Sequence, residues 1–350
     1  MIMTREDDDA AAALLASSSM SSVAELADKI SVLMEQESTY MCRDFLGGDG
    51  ELSSPQASGA RGPQEKLVSS SDRAKMIEWS FQVCDFCKFR RETVSRSSSY
   101  LDRFLSTTSP RALKAKVDKR IYQLCAMTSL YIAVKLFEPL AMDATLLSEI
   151  SHGCYEADEI LSTEEEILTA LQWRVSGCPI SHDFVHDILS LLPPSAYVGD
   201  ETTAMTILDF ARFQCEIAVC DYGLSMRKKS TVALAAILNS IEGVDECLLS
   251  ADSRFRFFKH VSETTGLKLF TQSVNTARTR LLELFSANSG FEMPQIANLT
   301  PICSGERSAS QKLTRKSSSD TATSPVCISR QNFAGERDFA GERGRYAKCA

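Results

Sequence analysis

The feature that most constrains the fold is the recurrence of apolar residues every three or four positions between residues 72 and 287. In this stretch glycine and proline are sparse, and the strict apolar-polar alternation of half-buried β-strands is absent. A spacing of three to four residues places apolar side chains on one face of an α-helix. The stretch is therefore predicted to be an all-α body.

Gly177 and Pro179 interrupt this periodic body near its middle. Glycine is too flexible and proline lacks the N–H that a helix needs, so both residues end helices. We predict two tandem helical repeats, residues 71–176 and 177–287, with five helices in each. The predicted helices are 72–88, 92–105, 117–137, 144–150 and 157–173, then 181–192, 201–218, 226–241, 253–264 and 269–285.

The two flanks, residues 1–70 and 288–350, differ from the body in composition. The first carries an acidic run and serine clusters, and the second is rich in Ser, Thr, Arg and Gly. Such segments bury too little apolar surface to fold, so both flanks are predicted to be largely disordered. One exception is 33–46 (LMEQESTYMCRDFL), whose apolar residues have helix-like spacing and which we expect to dock on the body.

Charge and cysteine content exclude several classes of protein. The 350 residues include 38 basic and 46 acidic ones, and the resulting net charge of −8 disfavours a generic nucleic-acid-coating role. The 12 cysteines are scattered through apolar stretches without an export signal, which indicates reduced, intracellular thiols. The longest near-apolar stretch, 121–134, is shorter than the ~20 residues that a bilayer demands and is expected to be a buried helix.

Four charged residues stand on helix faces that are otherwise apolar. Arg73 and Asp102 lie on the apolar stripes of the first two predicted helices, and Glu164 lies on that of the fifth. Lys135 follows the apolar run near the end of the third. Because a buried charge needs a partner, we predict an internal Arg73–Asp102 ion pair that locks two helices together.

Each of these residues also has a simpler interpretation. Either member of the predicted ion pair would reach solvent if it lay at a helix edge. Glu164 would merely favour the positive end of a helix that Ser162 or Thr163 caps. Lys135 would be a cation near a helix C-terminus, just before Pro139.

Several segments of both repeats resemble the cyclin box. The match extends from the opening of its first helix to the exit of its fifth. The entry to the second repeat is most similar to that of D-type cyclins. The matching segments are Arg73-Ala74 with Trp79, 100–106 (YLDRFLS), 131–138 (YIAVKLFE), 158–175 (DEILSTEEEILTALQWRV) and 180–192 (ISHDFVHDILSLL).

The resemblance implies two tandem cyclin-box folds and a regulatory subunit rather than an enzyme. By this resemblance the chain binds and activates a cyclin-dependent Ser/Thr kinase in cell-cycle progression, at G1/S or signal-dependent entry. Kinase substrates or inhibitors would be further partners, whereas nucleic acid and membranes would not. No cofactor or metal is implied, and the expected location is the nucleus and cytoplasm.

The resemblance also assigns roles to individual residues. Lys135 and Glu164 would be the charged pair that a cyclin presents to its kinase, and Arg73 and Asp102 the internal ion pair. The implied apolar kinase contacts are Ile132, Leu136, Leu168 and Trp173. The residues at a cyclin's substrate-docking positions are Met76, Trp79 and Gln123, but Asp72 and Lys75 stand where the family usually has Met and Ile.

Other motifs compete with this interpretation. A transcription-associated adaptor is the main alternative, because general transcription factors also use paired cyclin folds; such a protein should show a basic face. The CxxC of Cys84 and Cys87 lacks a second pair at zinc spacing. His182 and His186 are four residues apart, but a metalloprotease helix needs Glu where Asp183 stands.

Three Ser/Thr-Pro dipeptides in the flanks are candidate phosphorylation sites for proline-directed kinases. They begin at Ser54, Thr300 and Ser324. Ordinary punctuation of a disordered segment explains the same dipeptides.

Overall fold

A computed structural model describes residues 23–46, 68–140, 142–193, 196 and 202–289. All regular structure in these ranges is helical, which confirms the all-α prediction. The predicted disorder of the flanks falls mainly on 1–22, 47–67 and 290–350, which lie outside the described residues together with Ser54, Thr300 and Ser324. The helices are α1 Val23–Thr39, α2 Ser70–Cys87, α3 Glu92–Leu105, α4 Pro110–Ala115, α5 Lys119–Phe137, α6 Ala144–Ile150, α7 Ala157–Ala170, α8 Ser181–Leu189, α9 Thr202–Cys220, α10 Tyr222–Ser225, α11 Lys229–Glu242, α12 Ala251–Thr265 and α13 Gln272–Ser289.

Two hydrophobic cores lie on either side of the predicted break. The first is built from α2 to α7 around α5, which is buried from Tyr122 to Val134. The second is built from α8 to α13 around α11. Between them, Gly177 adopts a φ of 77°, in the left-handed region that favours glycine. The chain thus changes direction at the residue that the sequence marked as a helix breaker.

Polar residues at the helix starts explain where the main elements begin. Before α2, the Ser69 and Asp72 side chains each accept a hydrogen bond from the other residue's backbone N–H. Such a capping box satisfies two of the donors that a helix start leaves unpaired. Before α5, the Asp118 carboxylate accepts from the backbone N–H of Arg120 at 2.8 Å. These caps set the register of both helices.

The structure differs from the predicted elements at several places, of which four are instructive. Helices α4 and α10 were not predicted because six and four residues are too few to show a period. Helix α1 begins at Val23, ten residues earlier than the predicted island, and residues 40–46 are irregular. Helix α7 ends at Ala170 rather than 173, since Trp173 turns back and its N–H donates to the carbonyl of Leu168.

Helix α1 packs on the second repeat. Leu26 and Ile30 enter the second core, and Lys29 pairs with Asp187 at 2.6 Å. Helix α1 contacts α8, α11 and α12. The predicted island, 33–46, docks on both repeats, because apolar residues at its start pack against the second core and apolar residues at its end pack against the first. Local sequence did not indicate which repeat the island would contact.

Ion pairs join the two repeats directly. Arg91 of α3's preceding turn pairs with Glu216 of α9 at 2.8 Å. Arg212 of α9 pairs with Glu92 at 2.7 Å. The repeats are therefore fixed relative to each other by charged contacts around α3 and α9. Among the described helices, none is both long and apolar enough to cross a bilayer.

Candidate functional site

Lys135 and Glu164 meet on the surface of the first repeat. Lys135 lies in the last turn of α5 and Glu164 in the middle of α7. The Lys135 Nζ to Glu164 Oε1 distance is 2.7 Å, and the Lys135 side chain is 43% exposed against 11% for Glu164. The pair is thus half-buried, with the cation on the outside.

The surroundings of Lys135 keep it charged. Burial opposes its positive charge, but the hydrogen bond and the negative charge of Glu164 outweigh burial and raise the pKa of Lys135. Its Nζ also lies 4.8 Å from the centroid of the Tyr131 ring, where the π-electrons favour a cation. Lys135 is therefore a firmly protonated donor at a half-exposed site.

Apolar side chains flank this pair, but not all of the predicted ones. Leu136, which directly follows Lys135, is 48% exposed, and Trp173, after the end of α7, is 65% exposed. Leu161, one turn before Glu164 on α7, is also exposed. Ile132 is only 2% exposed and belongs to the core, and Leu168 is nearly buried. Neither therefore offers appreciable surface in this structure, and their assignment as kinase contacts stays a prediction.

Arg73 and Asp102 form the second charged pair, wholly inside the molecule. The guanidinium donates from Nε and Nη2 to the two carboxylate oxygens at 2.9 and 2.7 Å. Nη2 also donates to Ser98 Oγ at 2.6 Å, and Nη1 donates to the Val219 carbonyl at 2.7 Å. The pair joins α2 to α3, as predicted from the sequence, and additionally reaches α9.

The pairing offsets the cost of burying Arg73. Burial alone disfavours its charge, but Asp102, at hydrogen-bond distance, raises the pKa of Arg73 above its ordinary value. All of its polar nitrogens have acceptors, which is what a buried guanidinium needs. This arrangement is structural, because neither side chain reaches the surface.

The residues at the predicted substrate-docking positions do not form an exposed patch. Met76, Trp79 and Gln123 are all buried in the first core or against it. Asp72 is engaged by Lys119 at 2.7 Å and by the cap at Ser69. The correction has a simple physical reason: apolar side chains on α2 fill the space against α5 instead of facing solvent.

Three comparisons with known proteins bear on this arrangement. The family model for the cyclin N-terminal domain matches residues 51–176. The G1/S-specific cyclin-D1 of Xenopus laevis is 26% identical over 224 residues, 64% of this chain and 69% of the relative. The G1/S-specific cyclin-E1 of Rattus norvegicus is 28% identical over 134 residues, 38% and 30% of the respective chains. Cyclin-A1-2 of Oryza sativa subsp. japonica is 27% identical over 173 residues, 49% and 34%.

Residues 51–176 therefore belong to the family of cyclin N-terminal domains. The chain's match to the D-type relative covers a larger share of both chains than its matches to the E- and A-type relatives. Among solved structures, a viral cyclin from herpesvirus saimiri aligns with a TM-score of 0.49 and 18% identity, over 63% of this chain and 89% of the viral chain.

Sequence reasoning missed one polar network beside the Lys135–Glu164 pair. Arg111 of α4 donates from Nε and Nη2 to the two oxygens of Glu166, and from Nη1 to Thr163 Oγ1, each at 2.8 Å. The start of α4 does carry a signal, since Ser109 caps it and Pro110 follows at the first helical position. That signal indicates where α4 begins, but it does not indicate that Arg111 bonds to α7.

The Cys84/Cys87 and His182/His186 pairs do not belong to any set of metal ligands among the described residues. No three His, Cys, Asp or Glu side chains group there in a way that could hold a metal ion. His182 is buried against Ser95 of α3, its Nδ1 3.5 Å from the hydroxyl oxygen. Cys84 is buried in the first core, where burial raises its pKa to about 12. Their positions suit packing.

Proposed function

We propose that this cyclin binds and activates a cyclin-dependent Ser/Thr kinase through the surface around Lys135 and Glu164. The observation that carries the proposal is a half-exposed ion pair with exposed Leu136 directly after Lys135 and exposed Leu161 one turn before Glu164. A small polar cluster inside an apolar patch is the usual composition of a protein-binding surface. The relatives named above are cyclins, and their family supplies the partner class.

The pair retains capacity to bind a partner. An ammonium group has three donors and a carboxylate about four acceptor sites, and the contact between Lys135 and Glu164 uses one of each. Lys135 is therefore able to donate to a backbone carbonyl of the kinase while Glu164 accepts from a backbone N–H. The existing contact positions both groups before the kinase arrives, which lowers the entropy lost on binding.

Activation follows if these contacts depend on the kinase conformation. A binding protein shifts an equilibrium only by the difference in its affinity for the two states. In the mechanism that the family resemblance implies, the kinase C-helix moves inward, its Glu meets the ATP-positioning Lys, and the activation loop leaves the substrate site. Lys135 and Glu164 favour that state if they bond only to the inward helix. The cyclin itself then performs no catalysis.

Association with the kinase tests the proposal. Candidate cyclin-dependent kinases are co-purified with the intact chain and with a Lys135→Ala/Glu164→Ala variant. We expect the variant to lose association at an unchanged melting temperature, since exposed ion pairs contribute only about 0.2–1 kcal/mol to stability. Undiminished binding by the variant would place the kinase elsewhere on the molecule.

We also propose a role in cell-cycle progression at G1/S, with the protein in the nucleus and cytoplasm. The support is that two of the relatives are named as G1/S-specific cyclins. Depletion from synchronised cells tests this role: we expect a delay in entry into DNA synthesis that the wild-type chain reverses and the Lys135→Ala/Glu164→Ala variant does not.

A further inference from the structure

Arg111 contacts the turn of α7 that carries Glu164, and does so on both sides of that residue. Its three hydrogen bonds end on Thr163, directly before Glu164, and on Glu166, two positions after it. Thr163 is fully buried and its hydroxyl also donates to the carbonyl of Glu159 at 2.7 Å. One guanidinium therefore holds two points of the turn on which the proposed kinase-binding carboxylate stands.

The chemistry of this contact favours a fixed orientation. A guanidinium is planar and presents its N–H donors in a rigid fork, so a two-pronged bond to a carboxylate specifies direction as well as distance. Arg111 lies on α4, which packs against α5, and α5 carries Lys135. The contact therefore connects α7, which carries Glu164, to α4, which packs against the helix that carries Lys135.

The same contact sorts three adjacent carboxylates. Glu164, Glu165 and Glu166 follow one another, and like charges at this spacing repel. Arg111 neutralises Glu166, Lys135 neutralises Glu164, and Glu165 is exposed to solvent. The hydrogen bond to Glu166 also raises the pKa of Arg111, so the fork remains charged.

We propose that Arg111 is a positioning residue for kinase binding, which holds α7 in the rotation that presents Glu164 to the kinase. The proposal rests on the proposed function, because it concerns the affinity of that same surface. Arg111 acts through Glu164 rather than by touching the kinase. An Arg111→Gln substitution keeps a polar stem but removes the charge and the fork.

The experiment measures the dissociation constant of the cyclin–kinase complex for Arg111→Gln, alone and combined with Glu164→Gln. Residues in one hydrogen-bonded network are coupled, so we expect Arg111→Gln to weaken binding on the order of tenfold in the wild-type background. In the Glu164→Gln background it should add less than about twofold. An equal loss in both backgrounds would overturn the proposal, because it would mean direct contact or a general structural effect.

Arg120→Gln is the matched control. Arg120 also bonds to α7, at Glu159 and 3.3 Å, but Glu159 lies more than one turn before Glu164. We expect this variant to keep the wild-type affinity. If it weakens binding as much as Arg111→Gln does, any loss of an anchor on α7 suffices and the specific role of Arg111 is wrong.

A second variant guards against misfolding. Glu166→Gln removes the charge that Arg111 grips while leaving Arg111 in place, and we expect the same loss of affinity with the same dependence on Glu164. Full affinity in this variant would contradict the proposal. If the wild-type chain binds no kinase, the proposed function itself fails; if only the Arg111 and Glu166 variants bind normally, the positioning role fails and the proposed function stands.

Discussion

The two repeats share a plan, a buried central helix surrounded by others, but the ends of that helix differ. In the first repeat α5 is capped from its own chain neighbour, Asp118. In the second, α11 has no side-chain cap of its own, and Glu37 of α1 accepts from the N–H and hydroxyl of Ser230 at 2.9 and 2.7 Å. The second repeat is completed by a segment that precedes both.

The opposite ends of the two helices differ as well. At the end of α5 the cation is exposed and the carboxylate is nearly buried, in the Lys135–Glu164 pair. At the end of α11 the cation comes from another helix, because Arg278 of α13 is mostly buried and bonds to Asn239 and Glu242. An exposed cation is available to another protein, whereas one that is buried and bonded at the end of a neighbouring helix is not. Under the proposed function, the first repeat therefore presents the kinase-binding site and the second repeat supports it.

The largest loss of stability is expected from breaking the buried Arg73–Asp102 pair of the first repeat. Arg73→Ala leaves Asp102 buried without a partner, and breaking a buried pair typically costs about 3–5 kcal/mol. The substitution also removes the bond to the Val219 carbonyl of α9. We expect chemical denaturation to show this loss, together with weaker protection of α2 and α3 from hydrogen exchange.

Arg73→Lys serves as the companion variant for that experiment. Lysine retains the charge but not the fork that reaches both oxygens of Asp102 and the hydroxyl of Ser98. An intermediate loss of stability is expected. A stability equal to that of the wild type in both variants would show that the pair is not what locks α2 to α3.

The next effect concerns His182, which lies where the repeats meet. Burial lowers the pKa of His182 to about 4; the nearby charge of Glu92 raises it, and Arg212 and Arg96 lower it. In the unfolded chain an imidazole has a pKa of about 6.5. Between these values the unfolded chain binds a proton that the folded chain does not, so stability falls as the pH falls from about 6.5 to about 4.

The size of this effect is measurable as a difference between variants. The full shift corresponds to about 3 kcal/mol. We expect His182→Gln to lose less stability than the wild type between pH 7 and pH 4 in parallel denaturant titrations, because the other titrating groups are common to both. Identical pH dependence of the two chains would contradict the role of His182.

The caps at the two central helices give a smaller and more local effect. Glu37→Ala and Asp118→Ala should each cost about 1 kcal/mol, as loss of a helix cap does. Hydrogen exchange distinguishes them: Glu37→Ala should expose the first turn of α11 and leave α5 protected, and Asp118→Ala should do the reverse. Exposure of α5 by Glu37→Ala would mean that α1 stabilises both repeats.

The charged pairs were predictable from the sequence because two rules act together. The helical period tells which residues share a face, and a charge on an apolar face must have a partner. Both Arg73 and Glu164 stood out on this basis, and Arg73 lies 2.7 Å from Asp102, the partner that these rules proposed. Lys135 was paired with Glu164 by resemblance, and these two side chains also lie 2.7 Å apart. The helices themselves followed for the same reason wherever a helix was long enough to repeat its period, although several of their ends are shifted by three or four residues.

The remainder depends on contacts that no local pattern encodes. Glu37 and Ser230 are 193 residues apart, and neither position looks buried from its neighbours. Ile132 was assigned to the kinase-binding surface by resemblance, whereas α5 is buried along its whole length from Tyr122 to Val134. Trp79 was assigned to a patch by resemblance, although packing between α2 and α5 decides its exposure.

The variant expected to change stability least, Lys135→Gln, tests the difference between the two helix ends most directly. Lys135→Gln removes one half-exposed cation, and such ion pairs contribute about 0.2–1 kcal/mol, so its denaturation midpoint should nearly match that of the wild type. Kinase binding should nevertheless weaken, because Gln lacks the charge. Arg278 of α13 bonds to the corresponding end of α11, and Arg278→Gln should keep full kinase affinity. If Lys135→Gln instead destabilises the fold by more than about 2 kcal/mol, the Lys135–Glu164 pair supports its repeat as Arg278 does, and the difference between the two helix ends is not one of function.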